Sequence, residues 1–337
     1  VLNQPRVPEG YPSSWFAAGS ADYEMDPEIV GDVYSRAELK ESLRSLPTIS
    51  LVSDIPNLFD QRNGIQINPQ RTGPTWEKPS SIELIDFEDA DAEQYDCGWR
   101  MSGNASRSPS RPKHNLRIVF RPQYDKTPLE YPLFGTLEVQ RFRTFILRGF
   151  NGDSWVHPSN ASNGQYIRDQ WYRDAHRAMG HDETLQREVH VYYNGLYWGV
   201  HHMFERTEDD FAVEHYGGET HEWDSIRITA GGNLTTIDGT LDAWNETRDL
   251  ARAEDYEGVQ QYLDIDEFID YLLLNFYGGN GDWDQNNVRA MRRRPDGVWH
   301  FFCHDSERAG LNAGSGSLNI NVTNKNTARG PTEMHQR

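Results

Sequence analysis

The residues best suited to chemistry lie between Asp282 and Asp305. Asp282 stands five residues before Asn287, and Asp305 follows the second strand of a predicted hairpin. Phosphoryl transfer needs one carboxylate near the attacking oxygen and another on the Mg²⁺ that bridges the nucleotide phosphates, and these positions supply both. Asp284 is a rival for the first role, although it stands only three positions before Asn287. On spacing alone, an ordinary Asx-capped turn fits this loop at least as well.

A nucleotide site would add a glycine-containing turn and a lysine near the following strand, because backbone N–H groups and an ammonium group bind phosphates. The stretch WRMSGNASRSPSRPKHNLRIVF meets this requirement, with Gly103, Ser106 and Arg107 at the turn. Lys113, one of only five lysines, then begins a strand with an apolar face. The alternative for Lys113 is a solvated surface residue, which is the usual environment of lysine.

The elements that must position these residues begin with a region that is mainly sheet. Short β-favouring segments, separated by Gly, Pro and Asn clusters, occur at 47–52, 81–86, 115–121 and 142–148. The pattern at 166–179 predicts a helix that ends before Gly180. Apolar residues spaced by four share one face of this helix: Ile167, Trp171, Ala175 and Met179.

The chain continues with a predicted hairpin and becomes mainly helical beyond residue 235. Asn194 and Gly195 separate two β-rich runs and predict a two-residue hairpin turn. Helices are predicted at 241–253 and 265–276, and a short hairpin of 288–292 with 298–302 follows around the turn 294–297. The order predicts an α+β fold of two lobes, a sheet-rich lobe with one inserted helix and a helical lobe. This arrangement is that of protein kinases, although architecture alone does not establish function.

Composition narrows the classes of partner. The net charge of −19 argues against nucleic acid, whose phosphates would repel the protein. The sequence has no run of 18 apolar residues, so it predicts no membrane span, and its first residues lack the features of a signal peptide. Two cysteines, Cys97 and Cys303, permit one disulfide at most.

An ordered series of segments carries a resemblance to a known family. DWDQNN and FFCHDSER are similar to the D-x-x-x-x-N loop and the later W-D-x-D/E motif of the CotH family of atypical protein kinases, particularly its secreted bacterial members. SLVSDIPNLF, GIQINP, WEKPSSIEL, LRGFNGDSW, YIRDQWYRDAHRAMG and YYNGLYWGVHHMFER are also similar in order and spacing, over roughly residues 45–310. His304 stands where the family commonly has Trp, and Glu307 replaces an Asp.

The resemblance implies an ATP-dependent kinase that uses Mg²⁺ or Mn²⁺ to phosphorylate Ser or Thr hydroxyls of a protein substrate. It implies Asp282 as the catalytic-loop aspartate, and Asn287 and Asp305 as metal ligands with Glu307 assisting. Either Asp169 or Asp174 of the 166–179 helix would pair with the nucleotide-binding lysine. The nucleotide contacts that it implies are Gly103, Ser106, Arg107, Lys113, Arg148 and Glu205. For Arg148 an ordinary structural turn shared with Asp153, and for Glu205 a surface salt bridge, remain the alternatives.

These inferences divide the chain into a wrapping arm at 1–45, a sheet-rich lobe at 46–205, a helical lobe at 206–311 and an irregular tail at 312–337. Only 32 residues follow Asp305, which leaves open an incomplete helical lobe, by truncation or because helices follow in a longer parent protein. The resemblance implies an extracellular or cell-envelope location. Two other functions stay open: a catalytically inactive relative that binds a nucleotide or partner in such an assembly, and a carbohydrate-interacting module, suggested by the Trp and Tyr content.

Overall fold

The computed structural model describes residues 1–87, 90–111, 113–125, 127–135, 139–150, 152–155, 157, 161–310 and 320–336. It divides into two compact units: the first holds 1–151 and 185–205, and the second holds 152–184 and 206–337. The predicted lobe boundary after residue 205 is therefore also a unit boundary. The predicted 46–205 lobe differs from the structure at 152–184, because Asp169 and Glu183 of that segment accept hydrogen bonds from Ser306 N and Cys303 N of the second unit.

The first unit is a closed seven-stranded barrel. Its strand order is β1-β2-β3-β4-β7-β9-β8, and a separate two-stranded sheet pairs β5 with β6. The unit's helices are α1 (Arg36–Ser42) and α2 (Ile55–Phe59). The strands are β1 (Thr48–Val52), β2 (Lys78–Ile85), β3 (Glu93–Ser102), β4 (Asn115–Val119), β5 (Leu129–Glu130), β6 (Arg141–Phe142), β7 (Thr144–Arg148), β8 (Gln186–Tyr193) and β9 (Leu196–Glu205).

Closure of the barrel depends on parallel pairing of β1 with β8, which brings Thr48 opposite His190. The predicted β-favouring segments 47–52, 81–86, 115–121 and 142–148 overlap β1, β2, β4 and β7, because alternation of buried residues, as at Ile82 and Leu84 of β2, follows a local sequence pattern. Strand β3 was not predicted. The predicted hairpin is confirmed, since Asn194 and Gly195 both have positive φ, at 48° and 80°. A barrel was not predicted, because a partner strand some 140 residues away leaves no local pattern.

The second unit combines helices with an antiparallel sheet of order β11-β10-β12-β13. The prediction of a helical lobe therefore missed part of this sheet, although the α+β class is confirmed. The helices are α3 (Arg168–Ala178), α4 (Asp209–Tyr216), α5 (Asp242–Arg252), α6 (Tyr256–Val259), α7 (Ile265–Tyr277) and α8 (Pro331–His335). The strands are β10 (Trp223–Thr229), β11 (Asn233–Asp238), β12 (Val288–Arg293) and β13 (His300–Phe302).

Helix α3 is oriented by its polar residues. The apolar face predicted for it is the solvent-facing one, since Ile167 is 56% exposed and Trp171 is 47% exposed. The buried residues include Asp169, Arg173 and His176, and their hydrogen-bonding or charged partners lie inside the unit. Periodicity therefore predicted the helix, whereas the pairing of buried polar groups determined which side faces inward.

The C-terminal segment packs into the second unit. The prediction of an irregular tail at 312–337 is wrong at α8, whose buried Glu333 receives hydrogen bonds from Arg248 Nη2 at 3.0 Å and Arg252 Nη2 at 2.6 Å. Arg329 N also donates to Glu333, at 2.6 Å. No described helix is long and apolar enough to cross a membrane. Cys97 and Cys303 are both buried free thiols.

Glu333→Gln is expected to lower the free energy of unfolding by about 3 kcal/mol at neutral pH, because the buried Arg248 loses its charged partner. Burial alone would raise the pKa of Glu333, but the Arg329 N–H and the two guanidinium groups lower it below the ordinary 4.5. The stabilisation is therefore present above that ordinary value and is lost as pH falls through the lower folded-state pKa. Denaturant titrations across pH measure this, with exposed Glu246→Gln as the control. An equal effect of both substitutions at neutral pH would contradict the prediction.

Candidate active site

The β12–β13 hairpin brings three of the predicted residues together in the second unit. Antiparallel pairing sets Arg289 opposite Phe302, so the residues before β12 and after β13 lie at the same end of the hairpin. Asn287 Nδ2 donates to Asp282 Oδ2 at 3.2 Å and to the backbone oxygen of Asp305 at 3.4 Å. The sequence spacing thus corresponds to a spatial cluster.

The backbone conformation at Asn287 and Asp305 sets the direction of their side chains. Asn287 has a φ of 60° and Asp305 a φ of 57°, both in the left-handed region. Asn and Asp adopt this region more readily than other residues with a side chain. Such conformations outside glycine concentrate at functional sites, where the surrounding structure maintains them.

The cluster offers oxygen ligands to a hard cation. Because Asn287 Nδ2 makes both hydrogen bonds, its amide oxygen points the other way and is a potential ligand. Asp282 Oδ2 accepts from Asn286 and Asn287, at 3.4 and 3.2 Å, which leaves Oδ1 to face a further partner. The Asp305 carboxylate adds charge. Carboxylate and amide oxygens suit Mg²⁺ or Mn²⁺, so the donor set fits the expected metal.

The C-terminal segment packs against the loop that holds Asp282 and distinguishes Asp282 from Asp284. Asp284 is fully buried, and its Oδ2 accepts from Thr332 N at 2.9 Å. Lys325 Nζ donates to Gly281 O at 3.0 Å and Gln285 Oε1 at 2.9 Å. Asp282 is only half-buried. Asp284 therefore holds the loop in place, and Asp282 is the carboxylate that a reacting group can reach.

Helix α3 anchors the chain directly after Asp305. Asp169 Oδ1 accepts from Ser306 N at 2.7 Å, and Asp169 Oδ2 lies 3.2 Å from Arg173 Nη2. Asp174 is far more exposed and lies 3.9 Å from Arg177. Of the two acids predicted in this helix, Asp169 is the buried one that touches the candidate site, and its pairing with Lys113 stays a prediction.

Glu307 lies beside Gly152, which has no side chain to block its carboxylate. The residue is 6% exposed, within a single 3₁₀ turn after Asp305. A Cβ on Gly152 would lie 2.4 Å from Glu307 Oε1, so only glycine allows this approach. The carboxylate is therefore buried two residues after Asp305, next to Gly152.

Two arginines near Asp305 were missed by sequence reasoning. Arg227 in β10 and Arg289 in β12 stand directly opposite each other. Burial, and then the guanidinium groups of Arg206 and Arg227, lower the pKa of Arg289, while Glu208 and Asp305 act in the opposite direction. Adjacent like charges destabilise a sheet, so an anion here would be favoured. Only the strand pairing, which the sequence does not show, brings these charges together.

The glycine-containing turn lies in the first unit between β3 and β4. Gly103 has a φ of 85°, and a Cβ there would lie 2.4 Å from Ser106 Oγ. Ser106 Oγ donates to Ser102 O at 2.8 Å, and Arg107 donates to Gly103 O and to Gln70 O. The predicted side chains of Ser106 and Arg107 thus close the turn itself, which leaves backbone groups as its means of binding a phosphate.

Lys113 lies two residues before β4 in a desolvated position. Its Nζ donates to Val200 O and lies 5.8 Å from the ring centroid of Phe150. Burial lowers the pKa of Lys113 to about 7. The predicted apolar face of the following strand is confirmed, since Leu116, Ile118 and Phe120 are buried. Lys113 is therefore not an ordinary solvated lysine.

The remaining predicted contacts are buried in the first unit. Glu205, at the end of β9, is buried and accepts from Leu185 N at 2.7 Å, so it does not lie on the surface. Arg148 is buried in β7 opposite His202. Asp153, predicted to share a turn with Arg148, belongs to the second unit, where it pairs with Arg168 at 2.6 Å.

Comparison with known proteins identifies the family. A search of curated proteins found no match. A family model described as CotH kinase protein matches residues 99–332, a range that begins before Lys113 and extends past the cluster of Asp282, Asn287 and Asp305 to α8. This range is well over half of the 337 residues. The chain therefore belongs to the CotH kinase protein family.

Proposed function

We propose that this protein is an ATP-dependent kinase that transfers the γ-phosphoryl group to a Ser or Thr hydroxyl of a protein substrate. The observation that carries the proposal is the convergence of Asp282, Asn287 and Asp305 at one end of the β12–β13 hairpin. Membership of the CotH kinase protein family supports it. An extracellular or cell-envelope location is part of the same proposal and rests on the likeness to secreted members of the family.

In the proposed mechanism, Asp282 acts at the acceptor hydroxyl. Its Oδ2 is held by Asn286 and Asn287, so its Oδ1 orients the hydroxyl and takes its proton. The acceptor oxygen bonds to the γ-phosphorus as the bond to the β–γ bridging oxygen breaks, and ADP leaves. Mg²⁺ or Mn²⁺, held by Asn287 Oδ1 and Asp305 with Glu307 assisting, would neutralise phosphate charge.

Cationic groups would bind the nucleotide phosphates. We assign Lys113 to this role because its ammonium group is desolvated and therefore gains more from an anionic partner than an exposed lysine would. Arg227 and Arg289 are further phosphate contacts, since an anion relieves their mutual repulsion. The Gly103 turn would contribute backbone N–H groups, and Arg148 would make a second phosphate contact. Glu205, at the end of its strand, would lie near the adenine.

Labelled ATP tests the proposal directly. Purified protein with Mn²⁺ or Mg²⁺ should autophosphorylate or label a basic generic acceptor such as myelin basic protein, which complements the net charge of −19. Nucleotide binding without transfer would contradict the kinase assignment and favour the inactive relative. Retention on polysaccharide, with no nucleotide-induced rise in Tm, would favour the carbohydrate-interacting module.

The affinity for ATP is expected to weaken as pH rises above neutrality. With its pKa lowered to about 7, Lys113 is largely uncharged in mildly alkaline solution, so binding phosphate requires it to take up a proton. Linkage then raises the Kd for ATP at least about tenfold from pH 7 to 9. Calorimetry in buffers of different ionisation enthalpy measures the proton uptake. Lys113→Met should abolish it, and Lys40→Met, at an exposed position of α1, should not. A pH-independent wild-type affinity would remove Lys113 from the site.

A further inference from the structure

Three side chains of metal-binding type converge inside the second unit, and the proposed phosphotransfer does not use them. They are His176 from α3, Glu183 from the segment after α3, and Cys303 directly after β13. One ligand atom from each lies within 4.8 Å of the others. His176 is fully buried, and Glu183 and Cys303 are 3% and 2% exposed. Residues up to 127 positions apart in sequence thus meet in a solvent-excluded place.

The ring nitrogens of His176 are not satisfied by the described residues. Neither ring nitrogen of His176 makes a hydrogen bond with a described residue, although Nδ1 lies 3.3 Å from Glu183 Oε2. Burial of an imidazole without hydrogen bonds is costly, and buried polar groups in native proteins normally have partners. A buried imidazole that makes no hydrogen bond, next to a thiol and a carboxylate, indicates that a partner which accepts its lone pair is missing. A metal cation is such a partner.

The ligand chemistry selects zinc over Mg²⁺ or Mn²⁺. Thiolate and imidazole are preferred ligands of Zn²⁺, whereas Mg²⁺ takes oxygen. Bond lengths of about 2.0–2.3 Å place tetrahedral ligand atoms roughly 3.3–3.8 Å apart. The His176–Glu183 separation of 3.3 Å already agrees with this, and the other separations, all within 4.8 Å, need to close by no more than about 1 Å, which small side-chain rotations provide.

The surroundings orient the ligands and balance the charge. Cys303 N donates to Glu183 Oε2 at 2.7 Å and Thr184 N to Oε1 at 2.9 Å, which fixes the carboxylate as outer hydrogen bonds do at metal sites. A thiolate and a carboxylate together neutralise a dication. Arg173 Nη1 lies 4.0 Å from Glu183 Oε1, but its charge is offset by Asp169.

We propose that His176, Glu183 and Cys303 bind a zinc ion, with water in the fourth position. The ion joins α3 to the end of β13, two residues before Asp305. The ion thereby holds in place the chain segment that leads into the candidate active site. The hydrogen bond between Asp169 and Ser306 holds the same segment just after Asp305. The zinc site takes no part in the proposed phosphotransfer and is separate from the oxygen ligands around Asn287.

Cobalt provides a probe that reports the thiolate ligand. The metal-free full chain, titrated with Co²⁺, should bind one equivalent with a thiolate-to-cobalt charge-transfer absorption, and Zn²⁺ should displace it. Cys303→Ser should abolish the band, and His176→Gln should weaken binding by at least about 100-fold. Cys97→Ser, at a buried cysteine of the barrel, is the matched control and should retain the band. Asp305→Asn should also retain it, because the oxygen-ligand site produces no such absorption.

The wild-type titration is decisive even if a variant fails to fold. Absence of the charge-transfer band in folded wild-type protein overturns the proposal. So does a band that survives Cys303→Ser, or a Zn²⁺-induced rise in Tm of the same size in wild type and Cys303→Ser, since either result places the metal elsewhere.

Discussion

Asp305→Asn is expected to reduce phosphotransfer by about 10³-fold or more and to remove the metal-dependent part of ATP affinity. The substitution keeps the side-chain volume but removes the negative charge that would hold the metal ion beside the phosphates. The fold should persist, because Asn tolerates the φ of 57° at this position about as well as Asp. Because the proposed role of Asp305 depends on its charge, the loss should appear in both turnover and nucleotide binding.

Initial rates at several Mn²⁺ concentrations and calorimetric Kd values for ATP measure this effect. Asp296→Asn, at the exposed turn of the same β12–β13 hairpin, is the matched control and should behave as wild type. Wild-type turnover in Asp305→Asn, or equal losses in both variants, would contradict the assignment of Asp305 as a metal ligand.

Asp282→Asn is expected to lower kcat by about 10³-fold while the Kd for ATP stays within about twofold of wild type. The amide oxygen of the new side chain can still accept from Asn287 Nδ2, so the loop geometry is preserved. What is lost is the group that takes the proton of the acceptor hydroxyl. Because that interaction forms only in the transition state, its loss should not change the Kd for ATP.

Asp284→Asn tests whether the carboxylate that we propose as catalytic, Asp282, can be distinguished from the buried Asp284. Asp284 is buried and accepts from Thr332 N, so its substitution should lower Tm while kcat per folded molecule remains close to wild type. Single-turnover assays with labelled ATP, paired with thermal unfolding of each variant, distinguish the two. If Asp284→Asn, and not Asp282→Asn, abolished transfer in folded protein, the two roles would be reversed.

The candidate site shows how far local sequence signals reach. The spacing of Asp282 and Asn287 and the hairpin before Asp305 are encoded within a short segment, so the cluster could be predicted. The choice between Asp282 and Asp284 could not, because it depends on burial by the C-terminal segment. Arg227 and Arg289 were missed for the same reason: strands β10 and β12 become neighbours only in the folded sheet.

By itself, the sequence determined the α+β class, most strands, helices α3, α5 and α7, the Asn194-Gly195 turn and the family, because periodicity, capping and motif spacing act over a few residues. Only the tertiary structure decided the barrel closure, the membership of 152–184 in the second unit and the packing of 320–336. It also decided that α3 turns its polar side inward and that His176, Glu183 and Cys303 meet. These features depend on contacts between distant segments, in which the pairing of buried polar groups outweighs local hydrophobic pattern.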